Sequence, residues 1–493
     1  MKSKIGFDNL ALVAGWEMRR ACSSLVGLAL LVHTVGWTGA SDSPAPNEVP
    51  LGLPSFTEVT LPDPKLEPLE ETKLKAQQGK AEAQYQLGFR YQVGREVIPN
   101  PQAALKWFRQ AAQQGHVRAQ WWLGSLLLGS PLTKGMDPVE GLSWFRKAAE
   151  QGLAEAQYEL AGVYATGFTG LPKDEAQAFF WCRKAAEQGY AEAQGGLGNC
   201  FEQGIGVKKD LVAAVKWYQK AAAQGLAQAQ YNLGVMYQQG LGVELDPVQA
   251  VAWYRKAAGQ GHAPAQHTLG YCYERGIGVN HNDAAAWFYY RKAAVQGLAS
   301  GQNELGRCYW EGRGVERNPE EGFSWYLKAA EQGLAIAQFN LGQCYREGDG
   351  VRKDEAKAVG WYLKAATQGL VRAQVNLGFC YANGVGTSTN GAEALKWFGR
   401  AAEQGESAGD SGLGFCYANG IGVEKDYSQA VKCFQKATDR GDACAQYNLG
   451  ECYREGNGVR QSDAEAERWY SKAAQQGFPP AIKALEKIRK GAS

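Results

Sequence analysis

The sequence lacks any charge excess: 52 basic residues stand against 50 acidic ones among 493, a formal net charge of +2. No basic tract stands out, so the electrostatic footprint of a nucleic-acid binder is missing, and nucleic acid is not an expected partner. Catalytic signatures are missing as well. No His-Glu-x-x-His or Gly-x-x-x-x-Gly-Lys-[Ser/Thr] stretch occurs, and no Ser-x-x-Lys pair supplies a penicillin-type nucleophile. Histidine is scarce, at five residues. Three of these, His262, His267 and His281, fall near Cys272 and Asp283. Their spacing does not meet that of a metal site, so they read as surface or packing residues, and no metal or cofactor is implied. Long apolar runs are also absent. The most apolar segment, Leu25 to Val32, is shorter than the ~20 residues a spanning helix needs. An integral membrane anchor is therefore not expected.

That short apolar segment has another meaning. Arg19 and Arg20 precede it, and Thr38, Gly39, Ala40 and polar Ser41 follow it. Charged, apolar and small-residue regions in that order are those of a secretory signal, which assigns residues 1–40 to a leader and the protein to an exported location, periplasmic or secreted in a bacterium. Met18 is a second candidate start, and Cys22 lies before the apolar run, which argues against a lipoprotein attachment site. An uncleaved hydrophobic N-terminus is the alternative. Residues 41–66 carry six prolines, Pro44 to Pro64, with no helical period. Proline at that density fixes φ and removes donors, so this stretch reads as an extended linker.

What is present is repetition. From Ala81 to Phe478 a unit of about 36 residues occurs eleven times, beginning at Ala81, Val117, Ala154, Ala191, Ala227, Ala263, Ala299, Ala335, Val371, Ser407 and Ala443. In the copy 227–262, Ala227, Ala229, Leu233, Gly234 and Tyr237 share one helix face, with small residues where a second helix must approach. Gly240 and Gly242 break that helix, and Asp246-Pro247 opens another. Ala250, Trp253, Tyr254, Ala257 and Ala258 form its buried stripe, and Gly261 ends it. The unit is helix, glycine loop, helix, tight turn. Its Gly-x-Gly tracts follow a helix rather than a strand, so they are turn chemistry and not a dinucleotide fingerprint. Residues 67–80 read as half a unit and 479–493 as a terminal capping helix. Stacked units bury their apolar faces only against neighbours, so such an array holds a partner more readily than it transforms a substrate.

The strings Ala-x-Ala-Gln-Tyr-x-Leu-Gly, Gly-x-Gly-Val and Trp-Tyr-x-Lys-Ala-Ala-x-Gln-Gly resemble the Sel-one-like repeat (SLR), a relative of the tetratricopeptide repeat. The resemblance covers about 400 of the 493 residues. It implies an all-α, right-handed α/α superhelical solenoid with the first helix of each pair on the concave side, and an adaptor that assembles protein or extended-peptide partners without catalysis. A cysteine-rich subfamily has been associated with β-lactams, which gives an envelope β-lactam or peptidoglycan-peptide binder or hydrolase as the alternative. That subfamily's paired cysteines around each turn are not the pattern here.

Cys200, Cys272, Cys308, Cys344, Cys380, Cys416 and Cys452 instead share one slot. Equivalent positions in stacked units stand at least a helix diameter of ~10 Å apart. Bridging needs Cα atoms within ~7 Å, so a disulfide ladder is excluded and buried packing is expected. Cys182, Cys433 and Cys444 lie outside the slot, and any bridges among these stay open. The recurrent glutamines Gln84, Gln157 and Gln230 are expected to bond exposed amides at the inter-repeat turn. Asp410, Gly409 and Gly412 mark the repeat at 407 as the loosest. The functional candidates lie on the first helices. Asn232, Asn340, Asn376 and Asn448 each precede Leu-Gly, where the tetratricopeptide resemblance implies a grip on a peptide backbone. An amide suits this because it both donates and accepts; a soluble consensus residue is the other reading. Around them the expected face varies through Phe89, Trp122, Tyr271, Arg275, Arg307, Glu311, Gln343, Phe379, Phe415 and Glu451. Of these, Tyr271, Arg275, Arg307 and Phe379 are the strongest binding candidates, since aromatic and arginine side chains carry interface energy.

Overall fold

In the computed structural model, residues 66–129, 138–167 and 172–491 are described. The leader-like segment and nearly all of the proline-rich linker lie outside them. The chain divides into two units, with the break after Asn282. The first contains α1 (Leu69–Gln77), α2 (Ala81–Val93), α3 (Pro101–Gln113), α4 (Val117–Gly129), α5 (Pro138–Glu150), α6 (Ala154–Thr166), α7 (Glu175–Glu187), α8 (Ala191–Gln203), α9 (Leu211–Ala223), α10 (Ala227–Gln239), α11 (Pro247–Gly259) and α12 (Ala263–Arg275). The second contains α13 (Asp283–Val295), α14 (Ala299–Glu311), α15 (Pro319–Glu331), α16 (Ala335–Glu347), α17 (Glu355–Thr367), α18 (Val371–Asn383), α19 (Gly391–Glu403), α20 (Ser407–Asn419), α21 (Tyr427–Asp439), α22 (Ala443–Glu455), α23 (Asp463–Gln475) and α24 (Pro479–Gly491). Among the described residues there is no strand, and the fold is an all-α stack of helix pairs in each unit. Within a unit, each first helix packs on the second helix of its own repeat and on that of the repeat before.

The repeat 227–262 shows why the sequence builds this. Helix α10 stops at Gly240, whose φ of 67° places it in the left-handed region that glycine tolerates. Gly242 follows at φ 68°, and a Cβ there would lie 2.3 Å from the Leu211 carbonyl oxygen of the preceding repeat. The second glycine of the loop is therefore fixed by close approach as well as by φ. Helix α11 then opens on Asp246, whose Oδ1 accepts from the amides of Val248 and Gln249 at 3.0 and 2.9 Å. Gly234 lets the two helices close: a Cβ there would come within 2.5 Å of the Tyr254 ring.

Two details differ from the sequence expectation. Apart from Trp397, which is 2% exposed, the tryptophans are not the centre of the second-helix stripe. Trp253 is half-buried, with the Lys256 ammonium 3.7 Å from its ring centroid, and Lys220 over Trp217 and Lys364 over Trp361 repeat this at 3.9 and 3.7 Å. The fully buried ring is the next residue, as at Tyr218, Tyr254 and Tyr362. Successive residues on a helix point 100° apart, so only one of an adjacent pair can face the facing glycine. The recurrent glutamine, in turn, does not bond turn amides. Gln230 Nε2 donates to the Ala222 carbonyl at 3.2 Å, and its Oε1 accepts from Gln260 Nε2 at 2.8 Å. It adds a second donor to a carbonyl at the end of α9 that otherwise accepts from turn amides such as that of Gly225.

The repeat at 407 keeps this bracket in charged form, with Arg440 donating to Asp410. Its glycines tighten rather than loosen the packing, because a Cβ at Gly412 would sit 2.3 Å from the Phe398 ring. Helix α20 is as long as its counterparts. At the C-terminal end, Ala481, Leu485 and Ile488 of α24 pack against Tyr470 and Phe478. Among the described residues, no helix is long and apolar enough to cross a membrane.

Candidate functional site

The candidate asparagines all lie one residue before the Leu-Gly pair of a first helix, and the leucine at each site is buried in the core. This register leaves the asparagine at the edge of the buried stripe rather than on the open face. Asn232 is half-buried and accepts from Gln228 Nε2 at 2.8 Å. Asn340 is half-buried and donates to Asn303 Oδ1 of the preceding first helix at 2.9 Å, linking α16 to α14. Asn376 is only 6% exposed, with Gln343 Oε1 at 3.4 Å, and Tyr362 donates its hydroxyl to the same glutamine. Asn448 is 2% exposed, and its amide faces Cys444 Sγ at 3.6 Å.

These amides already form side-chain links between successive first helices or along one helix. Each link is a donor–acceptor pair that a peptide group can replace at Asn232 and Asn340, where the side chain is within reach of solvent. At Asn448 it cannot do so without displacement of neighbours.

The larger candidates separate in the same way. Tyr271 is 39% exposed, and the exposed Arg275 guanidinium lies 5.8 Å from its ring centroid, one helical turn away. Arg307 is half-buried and holds Glu304, with Nε–Oε2 at 2.8 Å. Phe379 is half-buried and packs edge-on against Phe398 at 5.0 Å between centroids. Phe89 and Phe415 are buried core residues, not part of a face that varies for recognition. They share the slot after Leu-Gly with Tyr271, Arg307 and Phe379, so their surroundings rather than their register bury them.

The slot cysteines lie in the core, as at Cys272, Cys344 and Cys452. Burial pushes the Cys272, Cys416 and Cys452 thiols up to about 12 and the Cys380 thiol to about 11. None of these is a thiolate at neutral pH. His262 caps α12 by accepting from the Ala265 amide at 3.2 Å through Nδ1, while Nε2 meets Gln228 Oε1 at 3.0 Å. Its burial lowers the ring to about 4, which keeps it neutral and suits a packing role.

One residue was missed by the sequence reading. Glu159 occupies the same slot as the asparagines, yet it is 5% exposed and has no hydrogen-bond or ionic partner among the described residues. Burial raises its carboxyl to about 7. The signal was available: with Glu304 it is one of two acidic residues in a slot that elsewhere holds Asn232, Thr268, Asn340 and Asn376.

Comparison with known proteins finds a match to the Sel1 repeat at residues 81–116, 117–153, 154–190, 191–226, 227–262, 263–298, 299–334, 335–370, 371–406, 410–442 and 445–478. Among solved structures, the chain is similar to a protective antigen of uropathogenic Escherichia coli with an SLR fold, at 36% identity over 87% of this chain and 91% of that one, with a TM-score of 0.73. It is also similar to a Sel1 repeat protein from Oxalobacter formigenes, at 33% identity over 62% of this chain and 88% of that one, with a TM-score of 0.48. No curated protein sequence matches. With eleven matched repeats, the chain belongs to the Sel1 repeat family, whose members generally serve as helical scaffolds for protein interaction.

Proposed function

We propose that the protein is an exported, non-catalytic scaffold that holds protein or extended-peptide partners on the faces of its first helices. One observation carries this reading. A frame of buried leucine, glycine and terminal left-handed glycine is repeated along each unit, while the partly exposed first-helix positions beside it change from repeat to repeat. In the unit ending at Asn282 these include Asn232, Tyr271 and Arg275. In the unit that follows they include Arg307, Asn340 and Phe379. A constant frame with variable aromatic, amide and guanidinium groups supplies hydrogen bonds and anchors without altering the fold. The leader-like order of residues 19–41, together with the protective antigen among its structural neighbours, supports export.

Site-specific photo-crosslinking tests the reading. A benzophenone side chain at position 271 or 340 is expected to capture protein partners. The same group at Val248, which is 65% exposed on the second helix α11, is expected not to. Capture at 248 with none at 271 or 340 would place the interaction on the wrong face and sink the proposal.

A further inference from the structure

We propose that Glu159, together with Glu155, Glu192 and the tyrosines Tyr158 and Tyr190, forms a site for a cationic group, the guanidinium or ammonium of a basic residue in an extended partner segment. The inference rests on the scaffold reading and names the chemistry of one contact.

The corresponding position in other repeats shows what is missing here. On α2, Glu82 meets His116 Nε2 at 2.9 Å and accepts from Gln86 Nε2 at 3.0 Å. On α10, Gln228 meets His262 at 3.0 Å and donates to Asn232. On α14, Glu304 is held by Arg307. Each of these pairs is neutralised or hydrogen-bonded inside the chain. In the repeat at 154 both members of the i, i+4 pair are carboxylates, Glu155 and Glu159, and the histidine position is Tyr190. Tyr190 lies against Tyr158, with centroids 5.7 Å apart and planes at 65°. Gly196, on the adjacent first helix, adds no side chain: a Cβ there would touch the Tyr158 ring at 3.0 Å. Burial and, after it, the charges of Glu192, Glu155 and Glu159 raise the Tyr190 hydroxyl.

Glu155 and Glu192 belong to the first turns of α6 and α8, where the helix dipole favours acidic residues and no ligand need be invoked. Glu159 does not benefit from that field. It sits beyond the first turn, buried, with no counter-charge. An unpaired buried carboxylate is costly, and in this slot the cost is relieved elsewhere by a partner group. A guanidinium or ammonium set among three carboxylates and two tyrosine faces gains ion pairing and a cation–π contact together.

The test uses the full chain and fluorescence anisotropy with an extended Ala/Ser peptide carrying arginine, alongside the same peptide with citrulline, which keeps the shape and removes the charge. Citrulline is expected to weaken binding by about tenfold or more, as loss of one partner of a buried charge pair does. Glu159→Gln is expected to do the same, and Glu192→Gln, at an exposed position that the fold does not need, to weaken binding less. Equal affinity for arginine and citrulline, unchanged affinity in Glu159→Gln, or no binding of the arginine peptide would each overturn the cation site. If partner crosslinking at positions 271 and 340 persists in those cases, the scaffold reading stands without it; loss of that crosslinking in the wild type would remove both.

Discussion

A tight constraint in the fold is the contact between a first-helix glycine and the buried ring of its partner helix, and it yields a prediction with a defined sign. In Gly234→Ala the new methyl would lie 2.5 Å from Tyr254 Cε1 and 2.7 Å from Cδ1. Tyr254 is fully buried and its hydroxyl is tied to Gln238 Oε1 at 2.6 Å, so the ring cannot swing aside without losing that bond. Overpacking of this kind costs about 1–3 kcal/mol. Replacing a mid-helix glycine by alanine returns up to about 1 kcal/mol of backbone propensity. The net expectation is destabilisation by about 1–2 kcal/mol. Gly360 is the matched control: it is also inside a helix, yet a Cβ there meets nothing within 4 Å. Gly360→Ala is expected to stabilise by up to about 1 kcal/mol, since only the propensity term acts. Because an array of repeats need not unfold in one step, hydrogen exchange resolved by peptide is the proper assay. Protection should fall most in α10 and α11 for the first variant and rise in α17 for the second. Equal protection changes of the same sign in both variants would refute the contact argument.

The second-helix aromatics should rank by burial. Tyr254→Ala is expected to cost about 3–5 kcal/mol as a large-to-small core change, and Trp253→Ala clearly less, since its ring is half-buried under Lys256; urea melts followed by fluorescence can order them. Glu159 predicts a pH effect. Its folded carboxyl is raised from 4.5 to about 7, so its contribution to stability is fully present below 4.5 and is lost as pH rises through about 7. Glu159→Gln should therefore match the wild type near pH 4.5 and exceed it at pH 8 by at most about 3 kcal/mol, the linkage limit for that shift, read as protection in α6. Most slot cysteines should remain reduced and react slowly with a thiol reagent in the native protein, then titrate rapidly on denaturation; a chain found fully oxidised would contradict their buried placement.

Much of the fold was legible without coordinates because a repeat states its own constraints many times over. Asp246-Pro247 and Gly240 mark helix ends through local chemistry, and the structure ends the helices there. The eleven-fold period fixed the family and the pairing of helices for the same reason. What the linear pattern could not give was direction around each helix. Trp253 and Tyr254 are adjacent, so their apolar character alone does not say which one meets Gly234. Gln230 has a donor and an acceptor, so its regularity did not reveal that it takes a helix-end carbonyl on one side and another glutamine on the other. Asp410 looked like a defect until Arg440 was found opposite it, thirty residues away along the chain. The candidate site divides by surroundings instead, since Phe89, Phe415 and Tyr271 share one slot. Residue type nominated Asn448, Phe89 and Phe415 alongside Tyr271 and Arg275. Only packing between neighbouring helices decided that the first three are buried and the last two exposed, and that Glu159 is a buried carboxyl without a partner, because burial and counter-charge are properties of what surrounds a residue in space.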